Sequence, residues 1–475
     1  MTSARSAAEV VGDLPAISRQ LHESPGGGSL QTLGLGGVRL GSGVLASLPD
    51  IVAELGVDGG HVALLADRTP MAGAEPDIKS AIERQLRASG IDVRRATIGD
   101  GHAKVHADGE TVDTAASLCT DAAVVISVGS GTVADIGKAV SATLSGLPHV
   151  VVQSAASVNG FADDQSVLLV EGVKRTTATR WPDRLVIDTD VLSLAPPPMN
   201  RAGLGDLMAT FTAPADWLLA SYVGQDASYS EAVVALTRSH IDELLDAAPG
   251  VGVGNPAALE TLAATLTLSG ISMGVAGRTS PGSGMEHTVS HLLEMAEADG
   301  DVSPLHGAKV GALSVLAALL WERVREAARA GALESLRFPS PQEMEARVEE
   351  AFSTLDTSGR VARECWNDYA RKLQRWHDSA ETVRTLSARW SEIDASLDAL
   401  LAPAARLIDA LQLAGAPIRL SDLGVDPITA RWALTNCHLM RDRFTVADLA
   451  FLMGMWEAEG VDRLLDEAAA LGAGL

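Results

Sequence analysis

The chain has 475 residues and a mass of 49.3 kDa; at 47% hydrophobic and 21% charged it is an ordinary globular composition, too long for one small core, and two domains are expected. A formal net charge of -24 excludes nucleic acid and anionic lipid as partners, while leaving room for a local basic pocket around an anionic substrate. Three cysteines, Cys119, Cys365 and Cys437, form no CxxC pair and read as reduced structural thiols of a cytoplasmic protein. No apolar run is expected to reach the ~18 residues of a membrane helix. The N-terminal stretch carries Glu9 and Asp13 and has no signal-peptide pattern.

"SPGGGS" (24–29) breaks the chain, so residues 1–34 are expected to form a tail or accessory helix on a flexible joint. "HVALLA" (61–66) is a continuous apolar run, as a strand buried on both faces requires. "EPDIKSAIERQLRASG" follows with helical period, an early proline and a closing glycine. "DVRRATIG" and "ETVDTAASLCTD" read as strand and helix. "AAVVISVGS" (122–130) is a second buried strand, then come the helix "TVADIGKAVSATLSG" and the strand "HVVVQSAA". "QSVLLVEG" and "RLVIDTD" add two β-rich runs within 165–190. This alternation predicts a Rossmann-like α/β domain with a parallel sheet over residues 35–195. Beyond "SLAPPPMN" the chain turns to Ala, Leu, Glu and Arg in long helical patterns, so residues 196–475 are expected to be an all-α domain. Trp366 and Trp376, in the long pattern "RECWNDYARKLQRWHDSAETVRTLSARWSEI", read as packing anchors.

"VGSGTVADIGKAVS" (128–141) places a glycine-rich turn between a strand and a helix. Gly129 and Gly131 can take positive φ there and let backbone N–H groups, with the helix dipole, meet a phosphate. It is not the G-x-G-x-x-G fingerprint; a plain tight turn, with Asp135 and Lys138 as a solvated pair one turn apart, fits as well. Asp67, just past the first buried strand, could accept hydrogen bonds from an adenosine ribose or simply cap a turn before Pro70.

A divalent ion that polarises oxygen needs imidazole and carboxylate ligands. "RAGLGDLMAT" offers Asp206 after two glycines, and "PLHGAKVG" offers His306 at a Gly-flanked helix start. "PGSGMEHTVSHLLEM" offers His287 and His291, four apart on one helix face, with Glu286 before the first and Glu294 after the second. Any one of these histidines could equally be a core or surface residue.

The order "GSGTVADIGK", "SAASVNGFADDQS", "AGLGDLMATFTAPADW", "PGSGMEHTVSHLLEM" and "LHGAKVG" resembles the sn-glycerol-1-phosphate dehydrogenases, above all their bacterial branch, within the superfamily of iron-containing alcohol dehydrogenases, glycerol dehydrogenases and dehydroquinate synthases. The resemblance covers about residues 38–312, and "RDRFTVADLAFLMG" (441–454) is similar to that family's C-terminal helix; about 320–435 carries no matching motif. It implies a dehydroquinate synthase-like fold and an NAD(H)-linked alcohol dehydrogenase or ketone reductase acting on dihydroxyacetone phosphate, with NADP(H) as a second cofactor. It implies one divalent metal, zinc in this branch with nickel or iron as alternatives, on Asp206, His287 and His306, in the helical domain that binds metal and substrate. His291 is implied to stay off the metal and to contact substrate or relay a proton. The cofactor is placed at Asp67, Gly129, Ser130, Gly131, Thr132, Asp135, Lys138 and Ser154. Asn159 is placed by the reacting centre. Lys174 and Arg175 in "EGVKRTT" are candidate phosphate partners, although they also fit a solvated charge run. The expected partners are a small phosphorylated or polyhydroxylated carbonyl and further copies of the chain, with no nucleic acid and no membrane insertion.

Three positions depart from that family. Asn159 replaces its usual aspartate, Ser280 its usual arginine (Arg278 lies two residues earlier) and Thr210 its usual lysine. All three concern substrate handling, which opens a second reading: a specialised biosynthetic dehydrogenase, or a cyclase, acting on another phosphorylated or polyhydroxylated carbonyl. A binding protein without activity is the reading of a different class, and three intact ligands speak against it.

Overall fold

The computed structural model describes residues 5–56, 60–71, 77–101, 105–170, 173–297 and 304–475; the early proline of the helix after the first buried strand, Pro76, lies outside them. Among the described residues there are eight strands: β1 (Val38–Gly41), β2 (His61–Ala66), β3 (Val93–Thr97), β4 (Ala122–Gly129), β5 (His149–Gln153), β6 (Gln165–Val170), β7 (Val173–Ala178) and β8 (Arg184–Asp188); β2 to β6 and β8 are the six runs expected from the sequence, and β1 and β7 are additional. Six form one sheet in the order β1-β8-β5-β4-β2-β3, every pair parallel, and β6 and β7 form a separate antiparallel hairpin. The chain is thus an α/β parallel-sheet domain followed by a helical region.

Both faces of the sheet are covered because alternate residues of one strand serve opposite layers. Val62 and Leu64 of β2 pack with Ile78, Ile82 and Leu86 of the helix Ile78–Ala88. Ala63 and Leu65 pack with Val112 and Ala115 of the helix Gly109–Cys119 and with Ile136 and Val140 of the helix Gly131–Thr143. Each fully buried Leu, Ile or Val contributes about 1.5–3 kcal/mol. The helices that follow β2 and β4 therefore lie on opposite faces. The two strands are neighbours, so the sheet has its topological switch point between their C-terminal ends.

The chain divides into two compact units. One holds residues 1–207, 232–278 and 413–415; the other holds 208–231, 279–412 and 416–475. The division differs from a single cut near residue 195, because the helices Ile241–Gly252 and Pro256–Ala276 pack on one another and on the helix Pro197–Leu207. Residues 6–34 are no loose tail. Ser6 and Glu9 form a capping box for the helix Ala7–Val11; Ala7 N–H donates to Glu243 at 3.1 Å, and Gln31 N–H to the Val275 carbonyl at 2.7 Å.

Pro256–Ala276 corrects the expectation about apolar runs. It is 21 residues long and apolar enough to cross a membrane, yet 89% of its apolar window is buried inside the protein. Its interspersed Thr265, Thr267 and Ser272 mask that length in the sequence, and each hydroxyl bonds the carbonyl four residues back. In the second unit the long pattern after residue 360 is three helices, Arg360–Asp378, Ala380–Arg384 and Leu386–Asp398. Trp376 is fully buried, edge-on to Tyr369 and Phe444, while Trp366 is partly buried and stacks on Tyr369.

Candidate active site

In the first unit the turn after β4 is tight for steric reasons. Neither Gly129 nor Gly131 has positive φ, contrary to the expected use of glycine there. A Cβ on Gly129 would lie 2.6 Å from the Val133 Cβ, and one on Gly131 would lie 2.9 Å from a Val158 methyl. Ser130 is the N-cap of the helix Gly131–Thr143 and makes no side-chain cap bond, so its hydroxyl does not cover the leading N–H groups there. Thr132 follows in the first turn, and Ser154 N–H donates to the Gly129 carbonyl at 3.0 Å, which draws the ends of β4 and β5 together.

Asp135 and Lys138 are not a solvated pair. Lys138 is fully buried, 2.6 Å from Asp163 and 3.2 Å from Asp135, and its ammonium also donates to the carbonyls of Gly160 (2.7 Å) and Gln165. Burial pushes Asp163 up to about 6, against the pull of Lys138. Burial likewise raises Asp135, with Lys138 and more weakly Lys174 opposing it. Lys174 and Arg175 lie on β7, opposite Leu169 and Leu168. Adjacent strand residues face opposite sides, so the two cations do not form one grip.

Asp67 follows β2. Its carboxylate accepts from Thr69 N–H (3.2 Å) and Thr69 Oγ1 (2.8 Å), and the half-hidden loop is tied down by Lys79, whose ammonium meets Asp67 Oδ1 at 3.2 Å and the Asp67 carbonyl at 2.8 Å. Asp67, Arg68, Thr69, Lys79, Arg95 and Thr97 are among the residues lining a cavity of about 320 Å³ at this corner. Deeper in the same unit Asp206 Oδ2 accepts Asn159 N–H at 2.9 Å, and the Asn159 side-chain amide donates to Ser269 Oγ at 3.2 Å.

The second unit gathers His287, His291 and His306. Helical spacing sets the first two on Met285–Ala296, and His306 opens the helix His306–Arg329. Ring centroids are 6.3 Å apart for His287–His291 and 5.3 Å apart for His287–His306 and His291–His306. The three Nδ1 atoms have two kinds of neighbour. Glu286 Oε1 lies 3.0 Å from His287 Nδ1, and Glu294 Oε1 lies 2.8 Å from His306 Nδ1. A carboxylate accepts, so these rings carry the proton on Nδ1 and the basic lone pair on Nε2, the form that ligates metal. His291 Nδ1 instead faces Arg441 Nη2 at 2.9 Å. A guanidinium can only donate, so this ring accepts at Nδ1 and carries its proton on Nε2.

Beneath His287 the support is acidic and buried. Glu286 also accepts from Gly284 N–H (2.6 Å) and Thr212 Oγ1 (2.9 Å). Burial works against its charge, but the hydrogen bonds from His287 and from the Gly284 N–H outweigh it and hold the carboxyl below its ordinary value. Asp216 accepts Met285 N–H and Val446 N–H, each at 2.9 Å, joining the starts of two helices; burial and then the nearby Glu286 push its carboxyl well up. Arg443 donates to the Ser283 carbonyl, to Ser283 Oγ (2.9 Å) and to Thr279 Oγ1, on either side of buried Ser280. Thr210 is buried in the short turn Met208–Phe211. Glu286 and Glu294 stood beside the histidines in the sequence without an assigned role. Asp216, Arg441 and Arg443 carry no sequence signal, because their partners lie far along the chain, and Lys79 meets Asp67 only when its helix folds back on the loop after β2.

The family model for iron-containing alcohol dehydrogenases matches residues 39–196. A glycerol-1-phosphate dehydrogenase [NAD(P)+] of Halalkalibacterium halodurans is 32% identical over 291 residues, 60% of this chain and 70% of that protein. The protein of the same name from Haloquadratum walsbyi is 32% identical over 297 residues, 61% of this chain and 80% of its own. Among solved structures, glycerol dehydrogenase from Schizosaccharomyces pombe superposes with a TM-score of 0.54 at 14% identity, covering 91% of each chain. An iron-containing alcohol dehydrogenase from Corynebacterium glutamicum gives 0.54 at 18% identity, covering 91% of this chain and 98% of its own. These two likenesses concern the fold.

Proposed function

Because the chain belongs to the glycerol-1-phosphate dehydrogenase family, and so to the NAD(P)-linked oxidoreductases that act on CH–OH groups, we propose that it reduces dihydroxyacetone phosphate to sn-glycerol 1-phosphate. A bound nicotinamide cofactor would supply or take up the hydride. Its pyrophosphate is assigned to the turn Gly129–Thr132 and its adenosine to the corner at Asp67. These follow β4 and β2, the two strands that flank the switch point, where open α/β sheets hold their ligands. Ser154 borders the same edge, and Asn159 keeps its place beside Asp206. A divalent metal, zinc by preference, is assigned to Asp206, His287 and His306, where it polarises the carbonyl oxygen when bound.

The observation that carries this reading is the pair of carboxylates on His287 and His306 Nδ1, which leaves both rings in the metal-ligating form. Glu286 and Glu294 hold those rings in orientation. His291 presents an N–H and serves as donor to the substrate oxygen. Lys174 and Arg175 are retained as candidate phosphate partners, each on its own side of β7. The reduced, buried thiols Cys119, Cys365 and Cys437 support a place in the cytoplasm.

The test is NADH-dependent turnover of dihydroxyacetone phosphate by zinc-loaded protein, with elemental analysis of wild type and His306→Ala. The variant is expected to lose both the metal and at least ~100-fold of the rate. Full metal occupancy in His306→Ala refutes the ligand set. A second reading, another phosphorylated or polyhydroxylated carbonyl as substrate, is favoured by Asn159: an amide held by Ser269 cannot take a proton as a carboxylate would. Faster turnover of a different ketone from a panel of triose phosphates, polyol ketones and cyclic ketones selects that reading.

A further inference from the structure

Three imidazoles lie within one cluster, and a cation could use them in more than one way. His291, Glu294 and His306 by themselves bring one ligand atom each to within 4.8 Å of one another, all within the second unit. That is a second constellation of two nitrogens and one oxygen, and it shares His306 with the ligand set proposed above. Distance alone does not choose between them.

Hydrogen-bond direction does. His287 and His306 meet carboxylate oxygens at Nδ1, at 3.0 and 2.8 Å; His291 meets a guanidinium nitrogen at Nδ1, at 2.9 Å. A neutral imidazole has one N–H and one lone pair. The Arg441 contact occupies the lone pair of His291 and turns its N–H outward at Nε2. Such a ring has no lone pair left to give a metal unless it first breaks from Arg441. The contact spans 150 positions of sequence: it is made by the segment between the short turn Cys437–Leu439 and the helix Val446–Leu452. That segment is itself pinned. Arg443 ties it to Ser283 and Thr279, just before the helix that bears His287 and His291, and Val446 N–H ties it to Asp216, which also holds Met285 N–H.

We infer that Arg441 is a positioning residue that fixes His291 as a hydrogen-bond donor, keeps it out of metal coordination and so leaves the His291–Glu294–His306 constellation closed to cations. The inference rests on the metal reading above for its purpose, but the state of the ring is independent of any metal.

The experiment has two readouts on full-length protein. First, long-range proton–nitrogen spectra of the metal-stripped chain labelled with 15N-histidine, assigned with His→Asn variants, report which ring nitrogen carries the proton. Wild type is expected to show Nε2–H for His291 and Nδ1–H for His287 and His306. Arg441→Met should shift His291 towards a tautomer mixture or Nδ1–H, and Arg441→Lys, which still donates, should restore the wild-type pattern. Second, Zn2+ is titrated against a chromophoric chelator. Arg441→Met is expected to take up a second equivalent, or to bind the first at least tenfold more tightly, and His291→Asn in that background should abolish the change. His291 with Nδ1–H in wild type, or an unchanged ring in Arg441→Met, overturns the inference whatever the metal does. So does a zinc gain that survives His291→Asn, or no gain at all. Wild type that binds no Zn2+ while its rings show the stated tautomers refutes the metal ligand set instead and leaves Arg441 as the residue that orients His291.

Discussion

Lys138 and the three imidazoles both sit in polar clusters, and these are built in opposite ways. The ammonium of Lys138 can only donate, and its directions end on Asp163, Asp135 and the carbonyls of Gly160 and Gln165 in its own unit. The imidazoles each have one donating and one accepting nitrogen, and Glu286, Glu294 and Arg441 decide which is which. A buried cation closed on its own acceptors holds loops together; rings with their direction set from behind are prepared to meet something else.

The sharpest way to break the contrast is Lys138→Met. Removing one partner leaves Asp163 and Asp135 buried beside each other, which is expected to cost about 3–5 kcal/mol in urea unfolding. A variant as stable as wild type but with a weakened KM for NADH would make Lys138 a cofactor group after all. On the imidazole side, Glu286→Gln keeps the shape and removes the charge behind His287. Zinc affinity, read by chelator competition, is expected to fall ~10–100-fold, and an unchanged affinity would place Glu286 among the purely structural acids.

His149 tests the scaffold side through pH. It is fully buried, bonded at Nε2 to Ser127 Oγ at 2.8 Å, and burial, with Lys138 and Arg180 adding to it, lowers its pKa to about 3. The unfolded chain protonates this ring near pH 6.5 and the folded chain does not. Its contribution is therefore constant above 6.5 and is lost as pH falls from 6.5 towards 3, at about 1.4 kcal/mol per unit. The stability gap between wild type and His149→Asn should narrow by about 2 kcal/mol between pH 7 and pH 5, the carboxylates common to both cancelling. A gap independent of pH contradicts a neutral buried ring. The smallest effect is expected at Asp67. Its pairing with Lys79 screens the repulsion of a 2′-phosphate, so the preference for NAD(H) over NADP(H) in kcat/KM should be about tenfold or less and should narrow in Asp67→Gly. Equal efficiency with both cofactors, unchanged by the substitution, removes Asp67 from cofactor choice.

What could be read from the sequence was what is local. β2 and β4 showed as unbroken apolar runs because both of their faces are covered, and the histidine pair showed because helical spacing keeps it on one face. β7 was passed over, since "VKRTTA" is polar and becomes a strand only by pairing with β6. Asp135 could be read as a neighbour of Lys138 one turn away, but Asp163 could not, because it follows a different strand, 25 residues on. Nor could that of His291, because Arg441 arrives through the fold. The single pattern after residue 360 held three helices, as helical period persists across breaks such as Ser379 and Thr385 that carry neither Gly nor Pro.

The first unit is completed late. Arg201, on the helix that carries Asp206, donates to the Gly252 carbonyl at 2.8 Å and to the Gly415 carbonyl at 3.2 Å, and Gly252 has room for no Cβ against the Ala414 carbonyl, 2.6 Å away. A chain leaving the ribosome has its whole parallel sheet by residue 188, yet the last clasp on that unit emerges more than two hundred residues later. Synthesis must deliver residues 208–231 and 279–412 of the second unit before the first can shut, so the first does not finish before most of the second has been made.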